Sequence, residues 1–275
     1  MASISARGNT EASTSKARVT EESESNMKLE GKVCLITGGT KGIGAATAID
    51  LAKQGATIAI LGRRKDEEAV ATKTAIEKLG QRCELFLADC AKPEDMTASV
   101  SQIGEQLGPV DVLVHAAGGP VNGGLFQITP EDWYAAFAVH VHPIFFLCRA
   151  VIPGMQKKKE GAIILVSSTA GIRGIITNVA YQVAKGALPQ FARALAREFA
   201  DDNIRINCVA PGVVRTAFHA SMSEQQKKLN LEHRIPLHRE GTPEQVATLV
   251  TELVKNDYLT GETFTIDGGL TMRIA

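Results

Sequence analysis

The 275-residue chain has no net charge, since 30 Lys and Arg balance 30 Asp and Glu. Without an excess of either sign there is no long-range field to gather nucleic acid or hold an anionic membrane. No apolar run approaches the roughly 18 residues of a bilayer-spanning helix, so neither partner is expected. The five cysteines, at 34, 83, 90, 148 and 208, form no C-x-x-C pair, which removes the common zinc and redox spacings. Cys34, Cys148 and Cys208 stand in apolar stretches and read as small buried residues. A reducing, cytoplasmic compartment fits that usage. His115, His140 and His142 raise the question of a metal. The last two are two positions apart on an expected helix and point different ways, and no carboxylate or cysteine completes a ligand set. No metal is expected.

Residues 1–27 are dominated by Ser, Thr, Glu, Lys and Arg, with almost nothing to bury. They read as a disordered N-terminal tail. Glu11, Glu21, Glu22 and Glu24 argue against a transit peptide, and a secretory apolar core is missing. Residues 28–275 show neither an internal repeat nor a second domain boundary. They alternate between β-rich runs at Val33–Thr37, Thr57–Leu61, Cys83–Ala88, Val110–His115, Ala162–Ser167, Arg205–Val209 and Thr263–Ile266 and helical stretches such as Gly42–Gln54, Glu67–Leu79, Glu94–Leu107, Pro130–Met155 and Ala180–Ala200. Several strands are almost continuously apolar, as when both sheet faces are covered. The pattern predicts a single-domain α/β fold, a Rossmann-like doubly wound parallel sheet of about seven strands.

Two local patterns carry chemistry. Strand Val33–Thr37 runs into Gly38-Gly39-Thr40-Lys41-Gly42-Ile43-Gly44 and then an apolar helix. Glycines allow a tight turn and close approach of backbone to a pyrophosphate, and the helix N-terminus offers free N–H groups to the anion. After the second strand, a carboxylate would hold the ribose 2′-hydroxyl of NAD, whereas arginine suits the 2′-phosphate of NADP. The chain has Arg63-Arg64-Lys65 there, with Lys41 in the turn, and no acid before Asp66. NADP(H) is therefore favoured over NAD(H).

Tyr181 and Lys185 form the second pattern, four residues apart on one helix face and thirteen positions after Ser168. Alone, such a pair is an ordinary solvated one. Beside a nucleotide turn it implies a phenol whose pKa, ordinarily about 10, a nearby ammonium lowers toward the working range. Ser168 would orient the substrate oxygen.

Together with Asn207-Cys208-Val209-Ala210-Pro211-Gly212 and Asp267-Gly268-Gly269, these motifs resemble the classical short-chain dehydrogenase/reductase family from Lys28 to Ile274. The resemblance implies an NAD(P)-dependent oxidoreductase acting on alcohols and ketones, commonly a homotetramer. It implies Asp89 and Cys90 against the adenine, Ala117 and Gly118 leaving room for cofactor, and Pro211 to Thr216, with Gly212 and Val214, closing over the nicotinamide. Tyr181 and Lys185 would act on both proton and nicotinamide ribose.

The chain departs from the family pattern twice. His115-Ala116-Ala117-Gly118 replaces N-N-A-G, and His140 replaces the fourth catalytic residue, an asparagine that helps hold a water at a helix kink. Pro143 can keep that kink. His140 could hold the water and titrate near pH 6.5, or be a packed histidine without a proton role. Substrate choice is assigned to Gly119–Phe126 and Ala217–Arg239. The alternative reading is a catalytically silent nucleotide-binding regulator of the same fold.

Overall fold

A computed structural model describes residues 26–216 and 222–272. Its centre is a parallel sheet of seven strands: β1 Val33–Thr37, β2 Thr57–Gly62, β3 Cys83–Leu87, β4 Val112–His115, β5 Gly161–Val166, β6 Ile204–Pro211 and β7 Thr263–Ile266. Their order is β3-β2-β1-β4-β5-β6-β7. The direction of winding reverses between β1 and β4, which leaves a crevice beyond their carboxyl ends. There Thr37 pairs in register with His115.

Helices α1 Gly42–Lys53, α2 Glu67–Glu77, α3 Pro93–Gln106, α4 Pro130–His140, α5 His142–Lys158, α6 Val179–Glu198, α7 Glu224–Leu229 and α8 Pro243–Lys255 complete the chain order. Alternate strand residues serve opposite faces. Val33, Leu35, Ile163 and Leu165 pack toward residues of α3, α5 and α6, whereas Cys34, Ile36, Ile164 and Val166 pack toward α1 and α8. Both faces are covered, so the strands are apolar throughout rather than alternating. Each fully buried Leu or Ile contributes on the order of 1.5–3 kcal/mol. All five cysteines are buried and unpaired.

Local signals set the helix starts. Asp66 caps α2, and Thr129 with Asp132 and Thr242 with Gln245 form capping boxes on α4 and α8. Pro130–Met155, expected as one kinked helix, is two helices that break at Val141. Pro143 has no N–H for the carbonyl of Val139, and the Ile144 N–H turns to Val141 O at 3.1 Å. Taken as one segment, Pro130–Lys158 does have the length and apolarity of a membrane span, with a mean hydropathy of 1.7 in its most apolar stretch. His140, His142 and Arg149 interrupt it, so it is not a continuous apolar run. In this fold its apolar residues pack on α3, α6 and β5. At the other end, Met27 is already docked: it is 6% exposed, and its amide donates to Lys255 O at 2.8 Å.

Candidate active site

The glycine turn lies at the switch point between β1 and β4. Gly38 has φ +66°, and a Cβ on it would stand 2.8 Å from Ala117 Cα. A Cβ on Gly44 would come within 2.2 Å of the Gly38 carbonyl oxygen. The turn is thus folded onto itself and onto the end of β4 more closely than any side chain allows. At α1, Lys41 is the N-cap residue but offers no side-chain cap, and the first turn contains no acid, although α2, α3, α4 and α8 all have acids there. Its N–H groups and positive dipole end remain available to an anion. Gly42, Ile43 and Thr40 belong to this cradle, which fits a dinucleotide pyrophosphate.

The end of β2 carries Arg63 and Arg64, both exposed. Asp66, the first acid beyond them, accepts the Ala69 N–H at 3.0 Å as the cap of α2. Lys41 pairs with Glu68 at 2.9 Å, so its charge is partly answered by a residue the turn itself does not reveal. Burial pushes the Cys90 thiol up to about 12. Asp89 adds to that rise and the Arg63 guanidinium opposes it; Gly62 pairs in register with Leu87, so Arg63 and the Asp89–Cys90 pair follow neighbouring strand ends. On the other side, Thr216 packs against the turn, with its Cγ2 3.4 Å from where a Gly42 Cβ would be. Thr216 Oγ1 also donates to Val214 O at 3.4 Å. Pro211 ends β6, and Gly212 approaches Asp267 so closely that a Cβ would lie 2.7 Å from its Cβ.

The strand end after β5 and helix α6 bring Ser168, Tyr181 and Lys185 together. Ser168 Oγ accepts the Ala170 N–H at 3.1 Å and hydrogen-bonds the Tyr181 phenol. Because the hydroxyl oxygen already accepts, its hydrogen is free to point at the phenol oxygen. Lys185 is 5% exposed, its Nζ donates to Val166 O at 2.7 Å, and it lies 6.0 Å from the centre of the Tyr181 ring. Ser167 Oγ donates to Lys185 O at 2.7 Å and anchors this turn of α6 to β5. Sequence reasoning had given Ser167 no role, although a second hydroxyl beside Ser168 was visible.

Two electrostatic expectations are corrected. Burial pushes the Tyr181 phenol above its ordinary value, and Ser168, not Lys185, pulls it back. The lysine itself is lowered by burial to about 8, with its ammonium turned to a backbone carbonyl. The second correction concerns His140. It is 1% exposed, and burial followed by the Lys185 charge brings its pKa to about 3, so it does not titrate near pH 6.5. Its Nε2 lies 3.0 Å from Gly119 O, and its ring meets Tyr181 edge to face, with centroids 5.5 Å apart. The ring occupies the place of a Gly118 side chain, where a Cβ would be 2.4 Å from Cε1. His115 does brace the sheet as expected, with Nδ1 2.9 Å from Thr37 Oγ1. In the segments assigned to substrate choice, Leu125, Phe126 and Leu229 are exposed, while Phe218 and His219 lie outside the described residues.

A nucleotide crevice with a half-buried serine and tyrosine and a buried lysine beside it defines a nicotinamide-dependent oxidoreductase. The family described as enoyl-(acyl carrier protein) reductase matches residues 38–271. The 3-oxoacyl-(acyl-carrier-protein) reductase of Thermotoga maritima is 35% identical over 90% of this chain and all of its own length. The enzyme of that name from Chlamydia muridarum is 33% identical over 89% of this chain and 99% of its own. Among solved structures, a Sinorhizobium meliloti protein assigned as a short-chain alcohol dehydrogenase has a TM-score of 0.85 at 32% identity, covering 90% of this chain and 99% of that one. L-sorbose reductase from Gluconobacter frateurii, solved with NADPH and L-sorbose, has a TM-score of 0.83 at 30% identity, covering 90% of this chain and all of that one. The chain belongs to the short-chain dehydrogenase/reductase family. It is an NAD(P)-dependent oxidoreductase acting on the alcohol–ketone couple.

Proposed function

We propose that this protein is an NADP(H)-dependent carbonyl reductase acting on a ketone and its secondary alcohol, in the manner of a 3-oxoacyl reductase. The observation that carries the reading is the Ser168–Tyr181 hydrogen bond, with Lys185 buried next to it at the mouth of the nucleotide crevice. The cradle of Gly38, Gly42 and Gly44 would hold the pyrophosphate, Asp89 and Cys90 the adenine, and Pro211 to Thr216 the nicotinamide end. When bound, the nicotinamide supplies or accepts the hydride. Tyr181 holds the proton that the substrate oxygen gains or loses, Ser168 orients that oxygen, and Lys185 places a positive charge near both. His140 keeps the Tyr181 ring in place while remaining neutral.

Arg63 supports NADP(H), because the first acid after it in the chain, Asp66, is engaged as a helix cap and a guanidinium suits a phosphate. Exposed Tyr134, Phe145 and Val183 on α4, α5 and α6 support a subunit interface and, with it, a homotetramer. Five unpaired cysteines fit a cytoplasmic protein. The family description names carbon–carbon double-bond reduction, so the deciding assay offers NADPH with a 3-oxoacyl thioester, a ketose and an enoyl thioester. Consumption with a ketone supports the reading. Consumption with the enoyl thioester alone would replace it, and none with any substrate would favour a silent nucleotide-binding regulator.

A further inference from the structure

Three cations, Arg63, Arg64 and Lys65, follow the end of β2 and are exposed, and a fourth, Lys41, comes from the glycine turn beside it. Two contacts join that turn to its neighbours. A Cβ on Gly62 would lie 2.7 Å from Thr40 Cγ2, and Thr72 Oγ1 of α2 donates to Thr40 O at 2.9 Å. Lys41 thus stands where the end of β2 meets α2. Among the described residues it is the only one of the four cations in an ion pair, with Glu68 Oε2 2.9 Å from its Nζ. Both side chains are about half exposed. The needs of the helix do not explain this partner. Asp66 already caps α2, and Glu67 supplies another acid to its first turn, so the helix end is served without Glu68.

We propose that Glu68 is a specificity-determining residue for the cofactor: its carboxylate competes with the 2′-phosphate of NADP(H) for the Lys41 ammonium and so moderates the preference over NAD(H). The inference rests on the NADP(H) reading above. An ammonium already answered by a carboxylate attracts a second anion less. NAD(H) has a neutral hydroxyl in place of that phosphate and is indifferent to the exchange. Because the ion pair is exposed, breaking it costs little, and the phosphate can take Lys41 over. Glu68 therefore weakens NADPH binding without preventing it.

The test titrates NADPH and NADH by fluorescence on the full chain, in wild type, Glu68→Gln, Lys41→Met and the double variant. Glu68→Gln should bind NADPH about 3- to 10-fold more tightly and NADH within about twofold of wild type. In the Lys41→Met background the same change should alter NADPH affinity by less than about twofold, since no ammonium is left to compete for. Glu67→Gln removes an equal charge from the same turn, at a residue that does not pair with Lys41. It should leave both affinities within about twofold of wild type. Unchanged or weaker NADPH binding in Glu68→Gln overturns the proposal, as does an equal gain in Glu67→Gln or a full gain in the Lys41→Met background. The NADP(H) reading is judged separately, on wild type alone, and fails if NADH binds as tightly as NADPH. In that event a selective NADPH gain in Glu68→Gln still supports the competition, and its absence still overturns it.

Discussion

Lowering the pH from 7.5 to 5.0 should destabilise this protein through two residues. His115 and His140 are buried neutral, and burial first, then the nearby Lys185 charge, takes both from an ordinary 6.5 to about 3. The unfolded chain therefore binds more protons than the folded one at any pH between these values. Stability is full above pH 6.5 and falls as the pH drops toward 3. At pH 5.0 each imidazole accounts for about 2 kcal/mol and the pair for about 4 kcal/mol, a large part of the roughly 5–15 kcal/mol typical of a domain. Other shifted groups act elsewhere. Lys185, lowered by burial to about 8 from 10.5, imposes a cost that no longer changes below pH 8. Asp202 and Glu244, both lowered, lose their contribution only below the ordinary carboxylate range. Urea unfolding at the two pH values, for wild type and for the His115→Asn, His140→Asn double variant, isolates the effect. The wild type should lose about 4 kcal/mol more than the variant, and equal losses would refute the reasoning.

Three further outcomes are expected. Arg63→Ala should weaken NADPH binding about 10- to 100-fold, the loss of one charge-assisted contact, and leave NADH within about twofold when both are titrated by fluorescence. Gly38→Ala would place a methyl 2.8 Å from the Ala117 backbone at φ +66°, so it should lower the melting temperature and abolish measurable cofactor binding. Removal of residues 1–25 should change the melting temperature by less than about 2 °C, whereas removal through Leu29 takes away two buried side chains and should cost several degrees.

Where a feature depends on local chemistry, it was legible in the sequence. The seven strands follow from runs apolar on both faces, the nucleotide turn from its glycines, and the break near residue 141 from Pro143. Helix α8 was equally legible, since Thr242-Pro243-x-Gln245 is a capping box ahead of an apolar period, yet it was not among the helices expected. Distant partners were not legible. Glu68 reaches Lys41 across 27 positions, and Val166 O takes the Lys185 ammonium from another element. That second contact is why the phenol is not lowered as the Tyr181–Lys185 spacing suggested. The histidine at 140 could be read as a titrating group because its burial depends on Gly118, which a linear pattern does not place beneath it.

The most direct test of the account is the single-turnover rate of ketone reduction by the NADPH-bound enzyme, compared between wild type and Tyr181→Phe. Loss of the proton donor should lower that rate by at least about 100-fold while NADPH affinity stays within about threefold. A rate in Tyr181→Phe within a few-fold of wild type would contradict the account and require another acid in this site.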